Sequence, residues 1–216
     1  MKPPLRLPPL YPIVNVAGSG AAAIESGRAL ALELAEAGAR IVQLRAKELG
    51  AAAFAALAAD LGERLHRSAC RLIVNDRVDV ALIAAASGVH VGDEDLPVEA
   101  ARRVLGPDAI IGYSTHSVAE MSAAARLDAD YLAFGPVFES PTKAGVRAGR
   151  GIELLAQACR AAGARPVVAI GGITIDSAPA CWRAGAASVA VISEIERSTD
   201  RRALLAAYSA AAAATA

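Results

Sequence analysis

Residues Val167 to Ser193 read VVAIGGITIDSAPACWRAGAASVAVIS. Val167–Ile170 is a short apolar run, Gly171-Gly172 breaks it, Ser177–Arg183 has a helical composition that Gly185 stops, and Ser188–Ile192 is a second apolar run. Strand, glycine turn, helix, strand is one parallel βα unit. Its strands are apolar at nearly every position, as strands buried on both faces must be.

The same alternation extends back to the N-terminus. Further strands are expected at Leu10–Val16, Ile41–Leu44, Leu72–Asn75, Val89–Gly92, Ile110–Ser114 and Tyr131–Gly135. Helical stretches lie between and after them, at Glu25–Ala37, Ala51–Arg67, Val78–Ala85, Val98–Leu105, Val118–Leu127, Ile152–Ala161, Ser177–Arg183 and Arg201–Ala211. Glycines follow several of them, at Gly38, Gly88, Gly106, Gly163 and Gly185. Eight strands alternating with eight helices, at about 27 residues per unit, predict an α/β fold: a single (β/α)8 TIM barrel over residues 1–216. The ends, about residues 1–9 and 212–216, are expected to be flexible. An open doubly wound sheet would want a glycine fingerprint after its first strand, but Gly18-Ser19-Gly20 runs into Ala21-Ala22-Ala23.

Composition excludes several function classes. The 22 basic and 22 acidic residues cancel, which argues against a nucleic-acid partner. No apolar run reaches the roughly 18–20 residues of a membrane span, and the Pro-rich Met1–Pro12 lacks a signal-peptide core. A cytoplasmic protein is expected, with Cys70, Cys159 and Cys181 as reduced thiols rather than a zinc or disulfide framework. A homo-oligomer is compatible with this reading.

In a barrel of this kind the chemistry sits just past the C-terminal ends of the strands. The chain's rare polar residues fall there. Its lysines are Lys2, Lys47 and Lys143, its asparagines Asn15 and Asn75, and its glutamines Gln43 and Gln157. Strand alternation puts Gln43, Arg45 and Lys47 on one side, two cations and an amide suited to a diphosphate, unless they form a solvated loop. Asn75 can donate to phosphate; Asp76 either ligates Mg²⁺ or caps the next helix. Asp93-Glu94-Asp95 offers further carboxylates for that metal, with Asp95 equally placed to cap the helix after Pro97. Ser114-Thr115-His116-Ser117 supplies hydroxyls for phosphate and a histidine that either moves protons or ties a loop together. Ser140, Thr142 and Lys143 form a phosphate clamp or a plain surface loop. Gly171-Gly172 and Val191-Ile192-Ser193 end the last two strands, where many barrels hold phosphate on backbone N–H groups. Two anionic subsites, only one with a metal, suggest group transfer rather than hydrolysis.

In order, the chain carries Gln-Leu-Arg-x-Lys, Asn-Asp-Arg, Gly-x-His-x-Gly-x-x-Asp, Ser-Thr-His, Gly-Pro-Val-Phe followed by Thr-Lys, Ile-Gly-Gly-Ile and Val-Ile-Ser. Together, from about Tyr11 to Glu196, these resemble the thiamine phosphate synthase family. The resemblance implies a transferase with two phosphorylated small-molecule substrates and Mg²⁺. A pyrimidine diphosphate would lie on Gln43, Arg45, Lys47, Asn75, Ser114 and Lys143, and the metal on Asp76 and Asp95. A thiazole phosphate would lie on Ser140, Thr142 and the backbone at Gly172, Ile192 and Ser193. Arg45, Lys47 and Lys143 would stabilise the departing diphosphate. Ala46, Asp93 and Glu139-Ser140 depart from the family's usual residues. Two other functions remain open on the same barrel: a thiazole tautomerase acting through His116, and a phosphate-ligand sensor without catalysis.

Overall fold

A computed structural model of the chain describes residues 5–139 and 149–215. Eight parallel strands close on themselves: β1 (Leu10–Asn15), β2 (Ile41–Arg45), β3 (Arg71–Asn75), β4 (Gly88–Val91), β5 (Ile110–Thr115), β6 (Tyr131–Phe134), β7 (Val167–Ile170) and β8 (Ser188–Val191). Each pairs with its successor, and β8 returns to β1 with Tyr11 opposite Ala190. The helices are α1 (Ala21–Glu36), α2 (Ala51–Arg67), α3 (Val78–Ile83), α4 (Val98–Leu105), α5 (Val118–Ala124), α6 (Gly151–Ala161), α7 (Ala178–Arg183), α8 (Ser193–Arg197) and α9 (Arg201–Ala213). The strands fall within one residue of their sequence-derived bounds.

Strand alternation divides the core in two. Tyr11, Ile13, Ile41, Ile73, Ile110, Tyr131, Ala133, Val168 and Ala190 fill the barrel interior. The opposite parity, Val14, Val42, Leu44, Leu72, Val74, Val89, Ile111, Leu132 and Val189, packs outward with the buried helix faces. The barrel is thus a filled core, open to chemistry only at its rim.

Several helix bounds differ from the sequence-derived expectation. Helix α1 begins at Ala21, because the alanines after Gly20 are strong helix formers without an amphipathic signal. The five-residue α8 is too short to show a period. Ahead of β1, Leu5 and Leu7 pack against the interior cluster, where apolar side chains cover the foot of the barrel. Helix α9 runs on to Ala213 with Tyr208 fully buried.

At that foot Arg102 of α4 acts as a clamp. Its guanidinium donates to the Asp128 carboxylate at 3.0 Å, to the Asp130 carboxylate at 2.8 Å, and to the carbonyl of Ala109. Asp130 also accepts the Ile111 N–H at 2.8 Å, so one fork joins α4 to the entries of β5 and β6. Arg102→Ala is expected to cost about 2 kcal/mol, because it strands the part-buried Asp130 carboxylate and Ala109 carbonyl, while the exposed Asp128 turns to water. Arg102→Lys should recover less than half of that, since an ammonium cannot span the fork. Urea denaturation of the two variants measures both.

Candidate active site

At the C-terminal rim, β2 contributes three residues of one parity. Gln43 is buried inside the barrel and its Nε2 donates to Tyr11 Oη at 3.3 Å. Arg45, half-buried, donates from Nη1 to Asn15 Oδ1. Lys47 lies past the strand end with its side chain 59% exposed, and its Nζ is 3.2 Å from Asp76 Oδ2.

Asn75, buried, ends β3. Asp76 follows in the left-handed region at φ 64°. Arg77 N–H closes a three-residue turn onto the Asn75 carbonyl at 2.8 Å, while Asp76 N–H donates to the His90 carbonyl at 2.8 Å. A non-glycine residue in that region is uncommon and strained. The turn aims the Asp76 carboxylate at Lys47 instead of back along the helix: α3 has Arg77 at its cap position with no side-chain cap bond, so Asp76 caps nothing. Arg77 itself turns to Asp79.

After β4, Asp95 Oδ2 accepts the Gly92 N–H at 2.8 Å. It tightens its own turn and does not cap α4, whose cap position is Pro97. Burial pushes the Asp95 carboxyl up; the Gly92 N–H and Lys47 pull it down, and the neighbouring Asp76, by charge and hydrogen bond, pushes it up again. The two carboxylates therefore face one another. Asp93 and Glu94 point to solvent, and the described residues hold no group of three or more His, Cys, Asp or Glu side chains suited to a metal.

Ser114, inward-facing on β5, lies with its Oγ 2.8 Å from His90 Nε2. His90 Nδ1 is 2.9 Å from Tyr131 Oη, and that hydroxyl is 2.8 Å from Tyr11 Oη. Burial pushes the His90 ring down to about 4, against the pull of the Asp76 charge. His116 lies outside this group: its Nδ1 donates to the Gly135 carbonyl at 2.7 Å, joining β5 to the segment after β6. Ser117 caps α5 by accepting the Glu120 N–H.

Ser140, Thr142 and Lys143 lie outside the described residues. Gly172 sits at φ 61°, and a Cβ there would come within 2.4 Å of the Glu139 carbonyl oxygen. Packing of the chain after β6 thus already demands glycine, without any appeal to ligand approach. Ile192, at the cap position of α8, packs against the barrel interior, and Ser193 begins the helix.

The rim thus gathers Gln43, Arg45, Lys47, Asn75, Asp76, Asp95 and Ser114 from four successive strand ends. Tyr11, Asn15 and His90 bind to them directly and Tyr131 joins Tyr11 to His90; none was given a site role from the sequence, although His90 stands in the Gly-x-His-x-Gly-x-x-Asp motif. Their signal was parity: His90 and Tyr131 are polar at inward positions of otherwise apolar strands. The three cysteines are free thiols, pushed by burial up to about 12 at Cys70, 11 at Cys159 and 12 at Cys181. No helix among the described residues is long and apolar enough to cross a membrane.

A closed parallel barrel that collects cations, carboxylates and a hydroxyl at its C-terminal rim has the layout of a (β/α)8 enzyme. Residues 10–195 match the family model for thiamine monophosphate synthase. A thiamine-phosphate synthase of Anaeromyxobacter dehalogenans is 45% identical over 179 residues, covering 81% of this chain and 78% of that protein. One of Albidiferax ferrireducens is 41% identical over 177 residues, covering 81% and 80%. The solved thiamine phosphate pyrophosphorylase of Pyrococcus furiosus superposes with a TM-score of 0.80 at 32% identity, covering 95% of this chain and 96% of that one. The chain belongs to the thiamine monophosphate synthase family and is a transferase of thiamine biosynthesis.

Proposed function

We propose that the chain joins an aminopyrimidine methyl diphosphate to a thiazole phosphate, giving thiamine phosphate and free diphosphate, with Mg²⁺ held by Asp76 and Asp95. The observation that carries this reading is the convergence of Lys47, Asp76 and Asp95 from three successive strand ends. Two facing carboxylates destabilise each other unless a proton or a cation lies between them. Two hard oxygen donors, with water and phosphate oxygens completing the shell, suit Mg²⁺. The same set, with no third protein ligand among the described residues, does not suit a zinc cage.

In this reading Gln43 and Asn75 orient the pyrimidine diphosphate, and Arg45, Lys47, Lys143 and Ser114 bind its phosphate oxygens. Asn15 fixes one edge of the Arg45 guanidinium before substrate arrives. The bond from the methylene carbon to the diphosphate oxygen breaks, and its electron pair leaves with the diphosphate. The three cations oppose the charge that develops there. Bound Mg²⁺ adds further positive charge at the leaving group. The thiazole nitrogen then donates its lone pair to the methylene carbon and forms the new C–N bond. A neutral nitrogen with no proton to lose needs positioning rather than a base. Ser140, Thr142 and the backbone at Gly172, Ile192 and Ser193 would hold the thiazole phosphate.

Titrating turnover with Mg²⁺ tests the metal assignment. Asp95→Ala is expected to raise the half-saturating Mg²⁺ concentration by about tenfold or more, because one of two protein ligands is gone. An unchanged titration would leave Asp95 with only its turn to Gly92.

A further inference from the structure

A continuous chain of hydrogen bonds crosses the barrel interior: Gln43 to Tyr11 at 3.3 Å, Tyr11 to Tyr131 at 2.8 Å, Tyr131 to His90 at 2.9 Å and His90 to Ser114 at 2.8 Å. Its middle members are buried, and both ends are rim residues. The rings are fixed against each other, Tyr11 and Tyr131 edge to face at 5.7 Å and His90 stacked on Tyr131 at 5.5 Å. Room for the crossing comes from Gly112 on β5. A Cβ there would lie 2.1 Å from Tyr131 Cζ, 2.4 Å from Tyr131 Oη and 2.5 Å from His90 Nδ1.

Counting protons gives the chain a direction. Gln43 Nε2 only donates, so Tyr11 Oη accepts from it. The Tyr11 hydroxyl proton then goes to Tyr131 Oη, and the Tyr131 proton to His90 Nδ1. The opposite direction would make Tyr11 Oη accept from both Gln43 and Tyr131, leaving its own buried proton outside the chain, at the cost of an unmade hydrogen bond. An imidazole accepting at Nδ1 carries its proton on Nε2 and donates it to Ser114 Oγ. The Ser114 proton is then left to point out of the chain.

We infer that Tyr11, Tyr131 and His90 are positioning residues that hold His90 as the Nε2–H tautomer and so present the Ser114 hydroxyl to the site as a hydrogen-bond donor. The inference rests on the reading that Ser114 faces the diphosphate. An anion accepts hydrogen bonds and never donates them, so a serine whose proton were spent on His90 would offer it only lone pairs. The chain therefore converts the orientation of a buried amide into the donor character of a hydroxyl across the barrel.

Nitrogen-15 spectra of histidine-labelled, ligand-free protein test the tautomer, with His90→Asn identifying the His90 signals. A pyrrole-type Nε2 and a pyridine-type Nδ1 are expected, and Tyr131→Phe should shift the Nδ1 signal as its donor disappears. An Nδ1–H tautomer in the native protein would overturn the inference. This arm needs no turnover, so it decides even if the proposed reaction fails. With both substrates, Ser114→Ala and Tyr131→Phe should each lower kcat/KM for the pyrimidine diphosphate by about tenfold, the effect of one charge-assisted hydrogen bond. Together they should cost little more than one alone, because both remove the same donated bond. Losses that multiply would also overturn it.

Discussion

Asp76→Gly is expected to lower turnover at least a hundredfold while leaving stability within about 1 kcal/mol of the native protein. The first half follows from the carboxylate's position between Lys47 and Asp95, where its loss would remove both the proposed metal ligand and the partner that orients Lys47. The second half follows from the backbone. At φ 64° glycine relieves the steric cost that aspartate bears, and this offsets the greater entropy glycine has in the unfolded chain. The ion pair that is lost involves a largely exposed lysine and contributes little. Turnover at saturating Mg²⁺ and a thermal or urea melt measure the two halves separately. A variant that melts several kcal/mol lower would make Asp76 a residue of the fold, and one that keeps its activity would remove it from the metal site.

The largest expected effect on folding lies at Gly88. This residue opens β4 opposite Ile110, and a Cβ built on it falls 1.8 Å from the Ile110 carbonyl oxygen and 2.6 Å from its carbon. The obstacle is backbone, so no rotamer change relieves it. Strands β4 and β5 would have to part in a barrel where each strand is locked by two neighbours. Gly88→Ala is expected to destabilise the chain by more than about 4 kcal/mol or prevent its folding. Gly50→Ala is the control. Gly50 precedes α2 with ordinary extended angles and open space at its Cβ, so its substitution should cost no more than about 1 kcal/mol. Soluble yield and urea midpoints of the two variants compare them. Equal stabilities would mean that the β4–β5 pairing is not as described.

The strands were legible in the sequence because a parallel barrel buries both strand faces and makes each one a short apolar block. The helices were less so. Ala-rich segments such as Ala21–Ala23 carry high propensity without amphipathic contrast, and α8 is shorter than two turns. At the site, rarity and strand-end position singled out Lys47, Gln43 and Asn75. Carboxylates at adjacent strand ends singled out Asp76 and Asp95, and the structure removes the capping role open to each of them. The strained turn at Asp76 was not legible, since an Asn-Asp-Arg sequence is equally at home in a relaxed helix start. Nor was the chain through His90. Each link joins residues 24 to 120 positions apart, and only the closed register brings them together. Gly172 carries the opposite lesson. A glycine read as an opening for phosphate is already required by the segment at Phe138 and Glu139.

The most direct measurement is a coupling assay with purified, folded protein, both substrates, and Mg²⁺ either present or chelated. The account predicts thiamine phosphate and diphosphate in equal amounts, only when both substrates and Mg²⁺ are present. Absence of product under the complete condition would contradict the proposed reaction, and undiminished product after chelation would contradict the role given to Asp76 and Asp95.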